Sequence, residues 1–168
     1  MSLKWYAIYT RPRWEKKVHH LLLQKGIESY CPLNKVHRKW SDRIKLIEEP
    51  LFKSYVFVRI AEEQRTEVRM TSGVVNFVYW DSKPAIIRDR EIHTIKKFLD
   101  EHLDVEVVKV DWQPDQKVMI TAGPLMNAEG RVVQVHGKTV KVLIESLGYL
   151  LLAHVDKNKI ISLQSAKV

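Results

Sequence analysis

Glu49-Pro50-Leu51-Phe52-Lys53-Ser54-Tyr55-Val56-Phe57-Val58-Arg59-Ile60 is the stretch from which the fold of this chain can be worked out. It opens on a turn signal and runs into a strand that is apolar on both faces. Successive strand side chains alternate, so Val56, Val58 and Ile60 point one way and Tyr55 and Phe57 the other. A small two-layer α/β domain covers one sheet face with its own helices. The aromatic face then needs a partner, and the strand reads as half of a docking site.

Upstream, Lys4–Thr10 reads as a strand that ends at the turn signal Arg11-Pro12. Pro12 suits the first turn of a helix. Trp14, Val18, Leu21, Leu22 and the stem of Lys25 fall on one helical stripe, with Arg13, Lys16, Lys17, His20 and Gln24 opposite. Gly26 ends that helix. Ile27–Leu33 reads as a second strand broken by Pro32. Lys35–Glu49 reads as a basic hairpin or an extended loop, with Trp40 among its cations and a turn at Ser41-Asp42.

Downstream, Glu62–Thr71 reads as a short helix closed by Ser72-Gly73. Val74–Trp80 reads as a strand with Val75, Phe77 and Tyr79 on one side, and Ser82-Lys83-Pro84 as a turn. Asp89 is placed to cap a last helix with Ile92, Ile95, Leu99 and Leu103 on one face. This order is that of a ferredoxin-like α/β sandwich. Asp104–Gln113 alternates Val and charge with no partner nearby, so a linker is expected over residues 104–115. It separates a first domain, 1–103, from a second, 116–168.

The second domain is all-β in character. Val118–Ile120, Arg131–Val135, Thr139–Ile144, Tyr149–His154 and Ile160–Leu163 are strand-like, with Gly123-Pro124, His136-Gly137 and Leu147-Gly148 between them. Short strands at this spacing suggest a small barrel. β-Branched Val132, Val133, Val135, Val140, Val142 and Ile144 favour strands over helices. Leu147–Leu152 suits either state. The fold class is therefore α+β: an N-terminal ferredoxin-like sandwich and a small C-terminal β-barrel.

The net charge of +8 is unevenly spread. Residues 1–60 hold 13 Lys/Arg and 5 Asp/Glu, so the whole excess sits in the first third. A localised basic surface points to a polyanion partner, most often nucleic acid, or is simply a solvated face. No run approaches the ~18 apolar residues of a membrane span. The chain opens into Trp5-Tyr6-Ala7-Ile8-Tyr9 without a signal-peptide pattern, and a cytoplasmic protein without a membrane partner is expected. Cys31 is the one cysteine, which excludes an internal disulfide and a Cys-based zinc site; in an apolar strand it reads as an inert buried thiol. There is no phosphate loop, and His19 and His20 are adjacent, so they point to different sides of a helix. No catalytic residue, metal ligand or cofactor is expected, and a binding protein is favoured over an enzyme.

Several motifs together resemble the NusG family. They are Trp5-Tyr6-Ala7-Ile8-Tyr9-Thr10 before a basic helix, Glu49-Pro50-Leu51-Phe52 before Tyr55-Val56-Phe57-Val58, Gly73-Val74-Val75-Asn76-Phe77-Val78, and Lys83-Pro84-Ala85-Ile86-Ile87. Val118–Leu125 followed by Glu129-Gly130-Arg131-Val132 resembles a KOW motif. Within the family the chain is most similar to the specialised paralogues, RfaH and the UpxY-like antiterminators of capsule loci. The resemblance implies a transcription elongation and antitermination factor, not an enzyme, that acts as a monomer. Its polymerase-binding face, for the clamp helices of the largest RNA polymerase subunit, would be Leu51, Phe52, Tyr55, Phe57 and Phe77. Its upstream or non-template DNA contacts would be Arg11, Arg13, Lys17 and His20, with Lys39 and Trp40 as a stacking addition. The KOW domain would meet a ribosomal protein or another factor. The rival expectation is a KOW-containing RNA-binding factor of translation or ribosome assembly.

Overall fold

A computed structural model of the chain describes residues 2–109, 125–128, 131–136 and 139–154. In chain order the elements are β1 (Lys4–Thr10), α1 (Glu15–Gln24), β2 (Glu28–Tyr30), β3 (Leu33–Trp40), β4 (Arg43–Pro50) and β5 (Tyr55–Ile60). A 3-10 turn (Glu62–Gln64) leads into α2 (Arg65–Arg69), β6 (Val74–Phe77), β7 (Tyr79–Trp80), β8 (Lys83–Pro84), β9 (Ile86–Ile87) and α3 (Asp89–Glu101). Then come β10 (Glu106–Lys109), β11 (Leu125–Ala128), β12 (Arg131–His136), β13 (Thr139–Ile144) and β14 (Tyr149–His154). The chain divides into two compact units, residues 1–33 with 50–95, and residues 34–49 with 96–168.

The first unit is built on an antiparallel sheet in the order β2-β5-β1-β6, with β9 also on β1. This is the ferredoxin-like arrangement expected. β1 is central, pairing with β5, β6 and β9, which is why Trp5, Tyr6, Ala7 and Ile8 are all buried. Val18 and Leu22 of α1, Val68 of α2 and Val56, Val58 and Ile60 of β5 share one core. Fully burying each such side chain contributes about 1.5–3 kcal/mol.

Local chemistry sets the helix ends. α1 starts after a turn in which Arg13 takes φ 68°, so Pro12 precedes the helix rather than entering its first turn. Glu15, buried in that first turn, accepts the Ser54 backbone N–H at 2.8 Å and places negative charge at the positive end of the helix. Gly26, at φ 77°, turns the chain out of α1. At α3 the expected N-cap, Asp89, is instead the first helical residue; the Arg88 backbone N–H before it donates to Glu91 Oε1 at 3.4 Å, the reach-back bond of a capping box. The buried stripe of α3 runs through Ile92, Ile95 and Phe98, with Leu99 half-buried at its margin; just past the helix end His102 is buried and Leu103 half-buried. No helix of the described residues is long and apolar enough to cross a membrane.

In the second unit β3 and β4 form a two-stranded hairpin, the first of the two alternatives for Lys35–Glu49. The C-terminal strands form one antiparallel sheet, β10-β14-β13-β12-β11. Its membership differs from the expected one. Glu106–Lys109, expected to lie in a linker, is β10, paired with Tyr149–Leu152. Its partner lies some forty residues away in the chain, beyond the reach of a local reading. Residues 110–115, 118–120 and 160–163 lie outside the described residues. The β-branched segments Arg131–His136 and Thr139–Ile144 are extended, as their propensity predicts.

Candidate functional site

The alternation of β5 is realised as expected, but β6 does not follow suit. Ile8 of β1 lies opposite Val56 on one side and Phe77 on the other. Phe77 therefore faces the helix-covered core with Val56, not the side of Tyr55 and Phe57. Its ring is 1% exposed and meets Tyr6 edge-on at 5.8 Å. The expected grouping of Phe77 with Tyr55 and Phe57 is corrected on the ground of this pairing with Ile8. A register shift follows on the other side of Asn76: Tyr9 pairs with Asn76, yet Thr10 pairs with Val74. Val75 is the extra residue of a bulge and is exposed, while Val74 packs on the core with Phe77.

The opposite sheet face is continuous and aromatic. Register puts Ala7, Phe57 and Tyr30 in one row, Tyr9 beside Tyr55 in the next, and Trp5, Arg59 and Glu28 in a third. Tyr30 stacks on Phe57 at 6.3 Å, and Phe52 meets Phe57 edge-on at 5.8 Å. The Leu51 N–H donates to the Pro32 carbonyl at 2.8 Å, fixing the Leu51-Phe52 turn. Phe57, Phe52 and Leu51 are buried, so these expected contact residues are the floor of the face rather than its surface. Tyr55 is half-buried, and its ring lies 4.9 Å from that of Tyr9, which is 38% exposed. Sequence reasoning passed over Tyr9. Its signal is its alternation with Trp5 and Ala7 in β1.

Two further aromatics were missed. Tyr79 and Trp80 form β7, pair with Pro84 and Lys83 of β8, and are both exposed. Asp81 and Ser82, at φ 52° and 62°, make the tight turn between them. Arg69 Nη2 donates to the Tyr79 hydroxyl at 2.7 Å and holds that ring in place. Read as one strand from Val74 to Trp80, the segment gave no hint of a separate hairpin; the break is at Val78, whose N–H donates to Ala7 and whose carbonyl accepts from Ala85.

Arg11, Arg13, Lys17 and His20 are all exposed, as a contact surface requires. Lys17 Nζ stands 4.2 Å and the Arg11 guanidinium 5.7 Å from the Trp14 ring centroid. Trp14 is thus a half-buried platform that holds two cations together. Its seat is Gly73: at φ 88°, a Cβ there would lie 2.5 Å from the Trp14 ring. The Arg11 N–H donates to the Gly73 carbonyl at 2.9 Å, closing the arrangement. His20 lies one turn along α1 from Lys17 and bonds Gln24 at 3.2 Å. His19 turns away to Ser29 at 2.8 Å; burial pushes its pKa down, and neighbouring His20 adds to the shift. Lys39 and Trp40 are exposed in the β3–β4 hairpin, which belongs to the other unit.

Burial pushes the Cys31 thiol up to about 11, with Glu15 adding, so the thiol stays protonated at neutral pH. Among the described residues no three His, Cys, Asp or Glu side chains gather as a metal site.

Comparison with known proteins points one way. The family model described as transcription termination factor nusG matches residues 3–96, and the KOW motif model matches residues 114–145. The transcription termination/antitermination protein NusG of Streptococcus pyogenes serotype M1 is 28% identical over 173 residues, covering 95% of this chain and 96% of the relative. The NusG protein of Borreliella burgdorferi is 22% identical over 177 residues, covering 93% and 96%. A solved structure titled "Domain interaction in Thermotoga maritima NusG" superposes with a TM-score of 0.50 at 21% identity, covering 94% of this chain and 96% of that one, a likeness of fold. The chain belongs to the NusG family of transcription termination/antitermination factors.

Proposed function

We propose that this NusG-family chain binds transcribing RNA polymerase through the aromatic sheet face of its first unit and suppresses pausing and termination. The observation that carries the reading is the Tyr9–Tyr55 pair, two aromatic rings reaching solvent on a floor of Phe57, Phe52 and Leu51. Aromatic anchors over a rigid apolar base are the usual core of a protein–protein contact. Exposed Tyr79 and Trp80 extend the aromatic supply of the same unit. The clamp helices of the largest polymerase subunit are the partner.

Arg11, Arg13, Lys17 and His20 would then meet upstream or non-template DNA, with Lys39 and Trp40 adding phosphate and stacking contacts. The KOW module would recruit a ribosomal protein or another factor. The action is that of a specialised, operon-selective paralogue similar to RfaH, and its place is the cytoplasm, with the transcribing polymerase. The factor makes and breaks no bond. Higher affinity for the closed, elongating polymerase than for the paused state shifts that equilibrium toward elongation. The test is capture of RNA polymerase by the full chain, compared between the wild type and Tyr55→Ala. Capture of structured RNA with no capture of polymerase would favour an RNA-binding factor instead.

A further inference from the structure

Residues 104–109, just past α3, are bonded at both ends, and both sets of contacts lie within the second unit. The first end is tied to the root of the β3–β4 hairpin. Asn34 Nδ2 donates to the Val105 carbonyl at 2.8 Å, and the Val105 N–H donates back to Asn34 Oδ1 at 3.1 Å. The Asp104 N–H donates to the Lys35 carbonyl at 2.8 Å. The Asp104 carboxylate accepts the His37 backbone N–H on Oδ1 at 2.8 Å, and its Oδ2 lies 2.6 Å from the His37 ring Nδ1. Asn34 and Val105 are both buried. In a regular strand consecutive N–H groups face opposite sides. Asp104, at φ 50°, departs from that geometry, and its own N–H and that of Val105 both reach β3. Asp is one of the few residues other than glycine enriched in this conformation.

The second end is β10, which begins at the very next residue. Glu106 pairs with Leu152, Val107 with Leu151 and Val108 with Leu150 of β14. Leu151 lies in turn opposite Val142 of β13. Val107, Leu151 and Val142 therefore form one apolar row across three strands, with Leu151 and Val142 buried and Val107 half-buried. No spacer separates the two ends. The Val105 carbonyl that accepts from Asn34 belongs to the same planar peptide unit as the Glu106 N–H that opens β10.

We infer that residues 104–109 are a two-ended latch, by which the hairpin root and the outer edge of the C-terminal sheet are held or released together. An isolated two-stranded hairpin is marginal in water, and a four-residue edge strand adds little alone. Ordering the shared segment costs entropy once, and the bonds at both ends draw on that single ordering. Each end therefore favours the other, and the coupling is reciprocal. Whatever opens the C-terminal sheet at β14 thereby loosens the hairpin that carries Lys39 and Trp40.

The experiment is residue-resolved amide hydrogen exchange of the full chain. Val107→Asp sets a carboxylate opposite buried Leu151 and should free β10 from β14. The His37 N–H, in the hairpin, should then exchange about ten-fold faster than in the wild type, a size typical of coupled sites. Amides between β12 and β13 should stay protected. Asn34→Ala removes both bonds to Val105 from the other end and should speed the β14 amides by a similar factor. In the double variant the His37 N–H should exchange little faster than in either single variant, because the latch is already open. A Val107→Asp protein with loosened β14 but a His37 N–H as protected as in the wild type overturns the inference. So does Asn34→Ala that loosens the hairpin and leaves β14 unchanged, or a double variant in which the two effects multiply. Should Val107→Asp unfold the whole C-terminal sheet, the β14 amides of Asn34→Ala decide alone.

Discussion

Both faces of the first sheet are apolar, yet they do different work. On one, Ile8, Val56, Val58 and Phe77 lie against Val18, Leu22 and Val68 of the helices and are closed to water. On the other, Phe57 and Phe52 form a floor from which Tyr9 and Tyr55 reach solvent. The hydrophobicity of a residue does not say which of these it serves. Phe57 and Phe77 are both fully buried phenylalanines, but they sit on opposite sides of the sheet, and the register of β1 decides it. Substitutions on the two faces should therefore fail in different ways.

The largest effect is expected on the core face. Phe77→Ala removes a ring that packs on Tyr6 within the core, so it should cost about 3–5 kcal/mol of stability, read by chemical denaturation. A folded, stable Phe77→Ala variant that had lost only polymerase binding would return Phe77 to the docking face. Next comes the Trp14 seat. Gly73→Ala places a methyl 2.5 Å from the Trp14 ring at φ 88° and should cost about 1–3 kcal/mol. It should also scatter the Arg11 and Lys17 cations and weaken DNA binding. Unchanged stability would mean that the ring moves freely.

Lys17→Glu tests the cations without disturbing the core. The exposed cation–π contact is worth about 0.5–1 kcal/mol, so stability should barely change, while affinity for DNA falls and its salt dependence flattens. Capture of polymerase clamp helices alone should persist. Equal loss in both assays would argue against separate surfaces.

The smallest effect is on pH dependence. Burial lowers the pKa of His19 and of His102, the latter with its Nδ1 buried and without a hydrogen-bond partner among the described residues. A group that binds its proton more weakly in the folded state makes the unfolded chain the better proton acceptor below about 6.5. Stability should hold above that pH and be lost as pH falls from it towards the lowered folded values. His102→Phe keeps the ring that packs on Phe98 and should shrink the loss between pH 7.5 and 5.5. An unchanged loss would exclude His102 as a source.

What was legible in the residues was what depends on near neighbours. The β5 alternation, the Gly26 helix end and the cation-bearing side of α1 follow from periods of two or 3.6 and from one backbone conformation. The α+β class followed from their order. What escaped depends on a distant strand. Phe77 was grouped with Tyr55 and Phe57 on the family resemblance, and only its pairing with Ile8 across the sheet shows that it faces the core. β10 finds its partner in β14, and an alternating Val-and-charge run was read as a linker. The burial of Leu51 and Phe52 and the exposure of Tyr9, Tyr79 and Trp80 are likewise set by packing, not by residue type.

The central claim is that the Tyr9–Tyr55 edge docks RNA polymerase, and it is tested most directly by comparing affinity for polymerase between the wild type and Tyr55→Ala. Removing an aromatic anchor typically costs about 2 kcal/mol or more of binding. Because Tyr55 is only half-buried, its thermal midpoint should stay close to that of the wild type. A Tyr55→Ala protein that folds normally and holds polymerase as tightly as the wild type would contradict the account.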